Sequence, residues 1–216
     1  FERVGTGAVA QISLSDLTQT KVSAAKVVYA RKDYAGRVDL LVLNDVTGDR
    51  YIYGLLKTEN VPAGSWPRLD AAGDPVSDPD GNPIYDTISN VGISIINSNH
   101  TGGTDIIVTG QSVTNGAPSG IAVSSDGKKL EAVVTLTEVK NVSRTAFYTV
   151  GGKTYLHLPT MDIMVSDDVE CYNKQGKSWF EGKVPLNDAR AFAETLTVYY
   201  DRAPSEGGKI RMVVVG

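Results

Sequence analysis

The sequence is poor in the residues that build catalytic and metal centres. It contains one cysteine, Cys171, and two histidines, His100 and His157, among 216 residues. A single cysteine excludes an intramolecular disulfide, and these three side chains are too few for a Cys/His zinc site. We therefore do not expect catalysis that depends on histidine clusters or cysteine pairs, and we predict no enzymatic activity.

The sequence also lacks a basic surplus and long apolar runs. It has 21 basic and 25 acidic residues, a net charge of −4, so little positive charge is available to neutralise phosphates. We expect no nucleic-acid partner. Its longest apolar runs, such as residues 40–43 and 212–215, are far shorter than the roughly 18–20 residues of a membrane helix. We therefore expect no membrane span.

The N-terminus has neither an initiator methionine nor a charged-then-apolar signal segment, because the sequence starts at Phe1. This beginning predicts that the chain is a fragment of a longer protein, cut either by natural processing or by the choice of its boundaries.

Alternation of apolar and polar residues dominates, with Gly, Asn and Asp clusters every eight to twelve residues or so, a pattern typical of sheet proteins. We predict an all-β fold of two or more small antiparallel sheet modules, as a sandwich or partly open barrel. Short helices are expected at about 16–21 and 188–195. Strands at 27–31, 37–43 and 50–56 are expected to form a three-stranded meander.

The beginning and the end of the chain resemble each other. Residues 12–16 (ISLSD) align with 184–188 (VPLND), and 36–42 (GRVDLLV) align with 208–214 (GKIRMVV). Val28-Tyr29 aligns with Val198-Tyr199, and Phe1 aligns with Tyr172 if one gap is allowed. We interpret these stretches as two copies of one supersecondary unit, the first of them partial.

This repeat predicts three units. A partial β-repeat covers 1–57, a divergent β-module covers 58–137, and a complete repeat covers 138–216. Within the middle unit, residues 58–86 are rich in Pro, Gly and Asp, which predicts a looping excursion.

The repeated segments resemble a known family. The sequences DARAF and LTVYYDRAPSEGGKIR near the C-terminus, with YARKD and LNDVTGDRY near the N-terminus, are similar to the C-terminal repeat region of surface proteins that carry S-layer homology domains. These proteins come from Clostridia-type Gram-positive bacteria. The resemblance covers roughly 1–57 and 138–216.

The resemblance implies location and architecture. It implies a non-catalytic, extracellular structural or assembly module at the bacterial cell surface, in the S-layer or cell wall. The implied partners are other copies of the same or a related surface protein. Strand edges such as 209–215 would supply the subunit contacts.

One loop is a candidate calcium site, because calcium prefers six to eight oxygen ligands. No other cofactor is expected. The spacing does not fit an EF-hand, since Val76 and Thr87 would fall at its first and twelfth positions. Asx turns are the competing interpretation. The candidate ligands are Asp74, Asp78, Asp80, Asn82 and Asp86.

An adhesin or glycan-binding module is the alternative function, with cell-wall or host glycans as partners. Trp66, between Ser65 and Pro67, is the candidate stacking platform. Ordinary β-propensity is the competing explanation for the aromatic residues. Two further alternatives stay open: a hydrolase that uses paired carboxylates, for which no spacing singles out a pair, and an intramolecular Lys–Asn amide cross-link.

Overall fold

A computed structural model describes the chain except for residues 69, 71–73, 100–105 and 110–113, and it describes only the backbone of 59–67, 86–91 and 106–109. The fold is all-β, as predicted, with one α-helix in the described residues. Its strands form three sheets. In the described part of the chain, no helix is long and apolar enough to cross a membrane.

The first sheet belongs to the N-terminal repeat and has the strand order β1-β3-β2. β2 and β3 form the predicted antiparallel hairpin, whereas β1 lies parallel to the end of β3. The strands are β1 (Glu2–Arg3), β2 (Val27–Lys32) and β3 (Val38–Asn44).

The second sheet comes from the middle of the chain and has the order β6-β5-β4-β7-β8, with antiparallel neighbours. Its core contains Leu56, Ile93, Ile95 and Ile121. The strands are β4 (Ile52–Pro67), β5 (Tyr85–Ile96), β6 (Ile106–Thr109), β7 (Pro118–Val123) and β8 (Leu130–Thr135).

The third sheet has the order β10-β11-β12-β15-β14-β9, with β13 paired to β12. All pairs are antiparallel except β12 and β15. Every residue of β15 is buried. The strands are β9 (Thr137–Ser143), β10 (Phe147–Val150), β11 (Lys153–Leu158), β12 (Met161–Asn173), β13 (Ser178–Trp179), β14 (Thr195–Tyr200) and β15 (Lys209–Val215).

The predicted helices differ from the observed ones. The helix expected at 188–195 is α1 (Pro185–Phe192), which begins three residues earlier because proline fits the first helical turn. It buries Leu186 and Ala189. The helix expected at 16–21 is absent. The chain instead makes a single 3-10 turn at Leu14–Asp16, where the Asp16 carboxylate accepts the backbone N–H of Ser13 at 2.7 Å.

Two other sequence predictions are wrong. The third strand of the expected meander, at 50–56, belongs to β4 in the second sheet, since residues 45–50 turn the chain away from β3. The expected excursion at 58–86 starts too early, because β4 continues to Pro67. The ladder shifts register between Val61 and Gly64, so Pro62 lies at an irregularity, where a missing N–H is tolerated.

The two aligned segments share their strand arrangement. Glu2 lies opposite Leu43 and Asn173 lies opposite Val215, both in parallel pairs at aligned positions. The hairpins β2–β3 and β14–β15 also carry a register shift at the same place. Asp39 in β3 and Arg211 in β15 are the extra residues there, which means that each is skipped by the pairing with the opposite strand. The division into three units at 57/58 and 137/138 stays a prediction.

The alignment of the first hairpin strands needs a correction of two residues. Tyr29 pairs with Val42, whereas Tyr199 pairs with Met212, the counterpart of Leu40. Ala30 and Arg31, which pair with Leu41 and Leu40, therefore occupy the positions of Val198 and Tyr199. The difference in alignment is accommodated by the turn between β14 and β15, residues 201–208, which is longer than the turn at 33–37 between β2 and β3.

Candidate functional site

The most unusual chemistry of the described residues is a buried cluster of charges where the two repeats meet. After β3 the chain forms a tight loop at 45–50, here termed the joint loop, which contacts the β14–β15 hairpin. We term this contact the joint. Asp45 and Gly48 have positive φ angles of 51° and 72°. A Cβ on Gly48 would collide with the side chains of Asp201 and Arg211, so the close approach requires glycine.

Glu2 fixes the joint loop from the N-terminal side. Its side chain is fully buried, and its Oε1 accepts the backbone N–H groups of Val46 at 2.5 Å and Thr47 at 2.7 Å. The Thr47 hydroxyl donates to Oε2. A buried carboxylate is costly unless its acceptor sites are filled. Here the loop backbone fills them, so β1 and the joint loop are held as one piece.

Arg211 is the centre of the joint, although only 1% of its surface is exposed. Its Nε donates to Asp201 Oδ2 at 2.9 Å, and its Nη1 donates to Asp49 Oδ1 at 2.6 Å. Nη2 donates to the carbonyl oxygen of Thr47 at 2.5 Å. The guanidinium carbon also lies 4.8 Å from the ring centre of Tyr53, at a distance typical of a cation–π contact. One side chain thus binds both repeats and the second sheet.

Two further ion pairs cross the joint. Lys209 Nζ contacts both carboxylate oxygens of Asp49, at 2.9 and 2.7 Å. Arg202 Nη2 contacts Asp45 Oδ1 at 2.7 Å, and its Nη1 donates to the Asp45 carbonyl oxygen at 3.0 Å. The partners in these pairs are 157 to 160 residues apart in sequence. The pairs are therefore contacts between the repeats and not within one of them.

The ion pairs of the joint contain equal numbers of cations and carboxylates, and Glu2, which accepts from backbone N–H groups and a hydroxyl, is not one of their members. Three cations, Arg202, Lys209 and Arg211, face three carboxylates, Asp45, Asp49 and Asp201. An exposed fourth cation, Lys26, lies 3.8 Å from Asp45. A balanced, hydrogen-bonded set of this kind offsets the desolvation cost of burying its members.

The electrostatics favour the charged forms of the ion pairs. Burial acts to raise the pKa of Asp49, but Arg211 and Lys209 outweigh burial and hold that pKa below its ordinary value. Burial also acts to lower the pKa of Arg211, and the anionic neighbours reverse this. Burial raises the pKa of Tyr53, which keeps its hydroxyl neutral, and the single hydroxyl proton is shared between Gly48 O at 2.9 Å and Asp201 Oδ2 at 3.1 Å. The joint is therefore built to hold its charges in fixed positions.

A cleft of about 490 Å³ lies beside the joint. Its charged lining is mostly made of residues whose side chains already have partners, Lys26, Asp45 and Arg202. The cleft is thus the outer wall of the joint.

The candidate calcium loop forms two similar turns. Asp78 Oδ1 accepts the backbone N–H groups of Asp80 and Asn82 at 3.0 and 2.9 Å. Just before this loop, Asp70 Oδ1 likewise accepts the backbone N–H of Asp74 at 3.0 Å. These are Asx-type turns, in which the carboxylate binds its own backbone.

Calcium binding stays a prediction. The side chain of Asp86 lies outside the described residues. No group of three or more His, Cys, Asp or Glu that could hold a metal ion occurs in the described part.

The other sequence candidates are dispersed. Trp66 lies in β4 opposite Asp86, and its side chain is outside the described part, so glycan stacking there stays a prediction. His157 contacts Asp162 on the neighbouring strand at 2.8 Å, and His100 lies outside the described residues. Cys171 is fully buried, and burial raises its pKa to about 12, so it is a core residue.

Both halves of the joint, LNDVTGDRY and YYDRAPSEGGKIR, lie in the segments that carry the family resemblance, but nothing in the sequence pairs them. The available signal was the two cations in β15, Lys209 and Arg211, placed in an otherwise apolar strand. A cation in a strand that is buried on both faces requires a carboxylate partner. That rule predicts a partner without saying which of the many acidic residues supplies it.

The chain matches no protein-family model, and neither curated proteins nor solved structures show a significant similarity to it.

Proposed function

We propose that this chain is a non-catalytic structural module of an extracellular, surface-layer-type bacterial protein. In this role, its repeated β-units are locked together and pack against other copies of the same or a related surface protein. The observation that carries the proposal is the joint, because a buried, balanced ion network between two repeats fixes their spacing. The resemblance of both repeats to surface-protein repeat regions supplies the expected location.

The chemistry of the joint supports a mechanical role. Its carboxylates already accept hydrogen bonds from cations or backbone N–H groups, and Asp201 has no exposed side-chain surface. General acid–base catalysis needs a group that reaches a substrate proton. These groups are instead committed to one another.

The proposal is tested on the longer protein that we predict to contain this chain. Antibodies raised against the 216-residue chain are used for immunogold labelling of intact cells. The purified protein is examined by sedimentation velocity and negative-stain electron microscopy. We expect surface label and ordered or concentration-dependent assemblies.

A matched pair of variants tests the role of the joint in assembly. Lys209→Met removes a buried cation of the joint, whereas Lys128→Met removes an exposed one in the turn between β7 and β8. We expect assemblies to be lost or disordered in Lys209→Met and kept in Lys128→Met. A protein that stays monomeric both on cells and in solution, or label confined to the cytoplasm, contradicts the proposal.

A further inference from the structure

β2 pairs with β3 along one edge, and its outer edge has no strand partner among the described residues, whereas the corresponding edge in the second repeat is covered. All six residues of β2 are exposed, including Val27 at 41% and Tyr29 at 51%. In the second repeat, β14 occupies the same place, and Leu196 and Val198 are at most 2% exposed. The difference arises partly because β9 pairs with the outer edge of β14. The second repeat therefore shows that the outer edge of this hairpin strand can pair with an antiparallel strand.

The register of β9 can be transferred to β2 through the structural alignment given above. On β14, Val198 lies opposite Val139, Tyr199 opposite Glu138 and Tyr200 opposite Thr137. The counterparts of Val198 and Tyr199 are Ala30 and Arg31. A β9-type strand on β2 would thus place an aliphatic residue opposite Ala30 and a carboxylate opposite Arg31.

This pairing is complementary in charge and in shape. Tyr199 donates its hydroxyl to Glu138 Oε1 at 2.7 Å in the second repeat. Arg31 stands at that position in the first repeat, and its present partner, Asp39, leaves it more than half exposed. Opposite charges directly across an antiparallel pair stabilise it, and a small residue such as Ala30 leaves room for a branched neighbour.

We propose that the outer edge of β2 is a docking site for one antiparallel β-strand of the β9 type, donated by an adjoining repeat of the same surface protein. The donated strand carries an aliphatic residue opposite Ala30 and an acidic residue opposite Arg31. This inference rests on the proposed structural role. It adds a second inter-repeat contact, in which backbone hydrogen bonds supply affinity and the Arg31 position supplies register.

The register is tested by disulfide trapping on the full chain. The variant Ala30→Cys is mixed, in a buffer of reduced and oxidised glutathione, with synthetic peptides of residues 136–145 that carry cysteine at position 138, 139 or 140; the mixed disulfide forms by thiol–disulfide exchange with release of reduced glutathione. We expect the peptide with cysteine at 139 to form the mixed disulfide fastest, because its Cβ faces that of residue 30. The native Cys171 is fully buried and gives little background.

The charge pair is tested by fluorescence anisotropy of the labelled native peptide. We expect Arg31→Glu to weaken binding two- to fivefold, the range of an exposed ion pair, and a peptide with Glu138→Arg to restore it. The matched control is Arg37→Glu, which makes the same charge change in the turn. Circular dichroism verifies that each variant is folded.

The outcomes are distinct. Equal trapping by all three peptides, or trapping only of Ala30→Cys homodimers, overturns the proposal; homodimers would assign the edge to β2 of a second copy. If Arg31→Glu does not fold, the trapping experiment still decides. Register-specific trapping in a protein that never assembles would keep this inference and refute the proposed function. Assembly without register-specific trapping would keep the proposed function and refute this inference.

Discussion

Removing the charge of Arg211 is expected to destabilise the whole chain. The change is Arg211→Met, which keeps most of the side-chain volume and deletes the guanidinium. Asp201 then keeps a fully buried carboxylate whose remaining ion partner is Arg202 at 3.8 Å, and Asp49 loses one of its two partners. Deleting one partner of a buried ion pair costs about 3–5 kcal/mol. We expect a loss of this size in the free energy of unfolding.

The assay is urea denaturation monitored by tryptophan fluorescence. Trp179 is a suitable probe, since it lies 4.8 Å from the ring centre of Tyr172 in the third sheet. The control is Arg37→Met, which also removes an arginine from an ion pair, but one whose cation is 81% exposed. The control should change the midpoint little. The slope of the transition should stay constant, which shows that the comparison is one of stability.

A double-mutant cycle separates the ion pair from general damage at the site. Asp49→Asn alone leaves Arg211 with one carboxylate fewer, whereas Asp49→Asn with Arg211→Met removes both charges of an ion pair that joins the repeats. We expect the double variant to lose about 0.5–3 kcal/mol less than the sum of the single losses. Additive losses, or a cost of Arg211→Met below about 1 kcal/mol, would refute the view that the buried ion pairs hold the repeats together.

Three further predictions follow from the same structure. The folded-state pKa of Asp49 is lowered, so its contribution to stability is present above about pH 4, the ordinary carboxyl pKa, and is lost as the pH falls below that value. In an acid titration monitored by circular dichroism, the stability of Asp49→Asn should therefore depend less on pH than that of the unchanged chain. The Cys171 thiol, with its pKa raised to about 12, should react with a disulfide reagent only in urea, and rapid reaction of the folded chain would contradict its burial. Gly48→Ala should cost more than the roughly 1–2 kcal/mol of left-handed backbone strain, because it also collides with Asp201 and Arg211, whereas Gly36→Ala meets open space at a φ of 81° and should show the strain alone in urea denaturation.

Local signals in the sequence predict the β2–β3 hairpin, since strands expected at 27–31 and 37–43 are found at Val27–Lys32 and Val38–Asn44. A further local signal is Gly151-Gly152 between β10 and β11, where both residues have the positive φ angles, 58° and 80°, that favour glycine in a tight turn. The same local reasoning failed for the strand at 50–56, because adjacency in sequence is only a default. The joint loop leaves the first sheet at Asp45, and this turn is decided by contacts with residues more than 150 positions away.

The residues of the joint show why the site was harder to predict than the fold. Alternation and turn residues act over a few positions, so a single sequence displays them. An ion pair such as Lys209–Asp49 has no such signature, since any of the 25 acidic residues is chemically suitable. The repeat alignment located the right segments, yet its error of two residues at Val28-Tyr29 would have placed the wrong side chains opposite one another.

One position explains why the repeats interlock in a single direction. Arg211 and Asp39 are the extra residues at the same register shift of their hairpins. Asp39 bonds to Arg31 within its own hairpin and stays exposed, whereas Arg211 is buried and reaches Asp49 of the other repeat. A carboxylate at this place would repel the acidic joint loop, and a guanidinium binds it. The sign of one charge therefore makes the second hairpin the acceptor of the joint loop, whereas the first hairpin receives no such loop from the described residues.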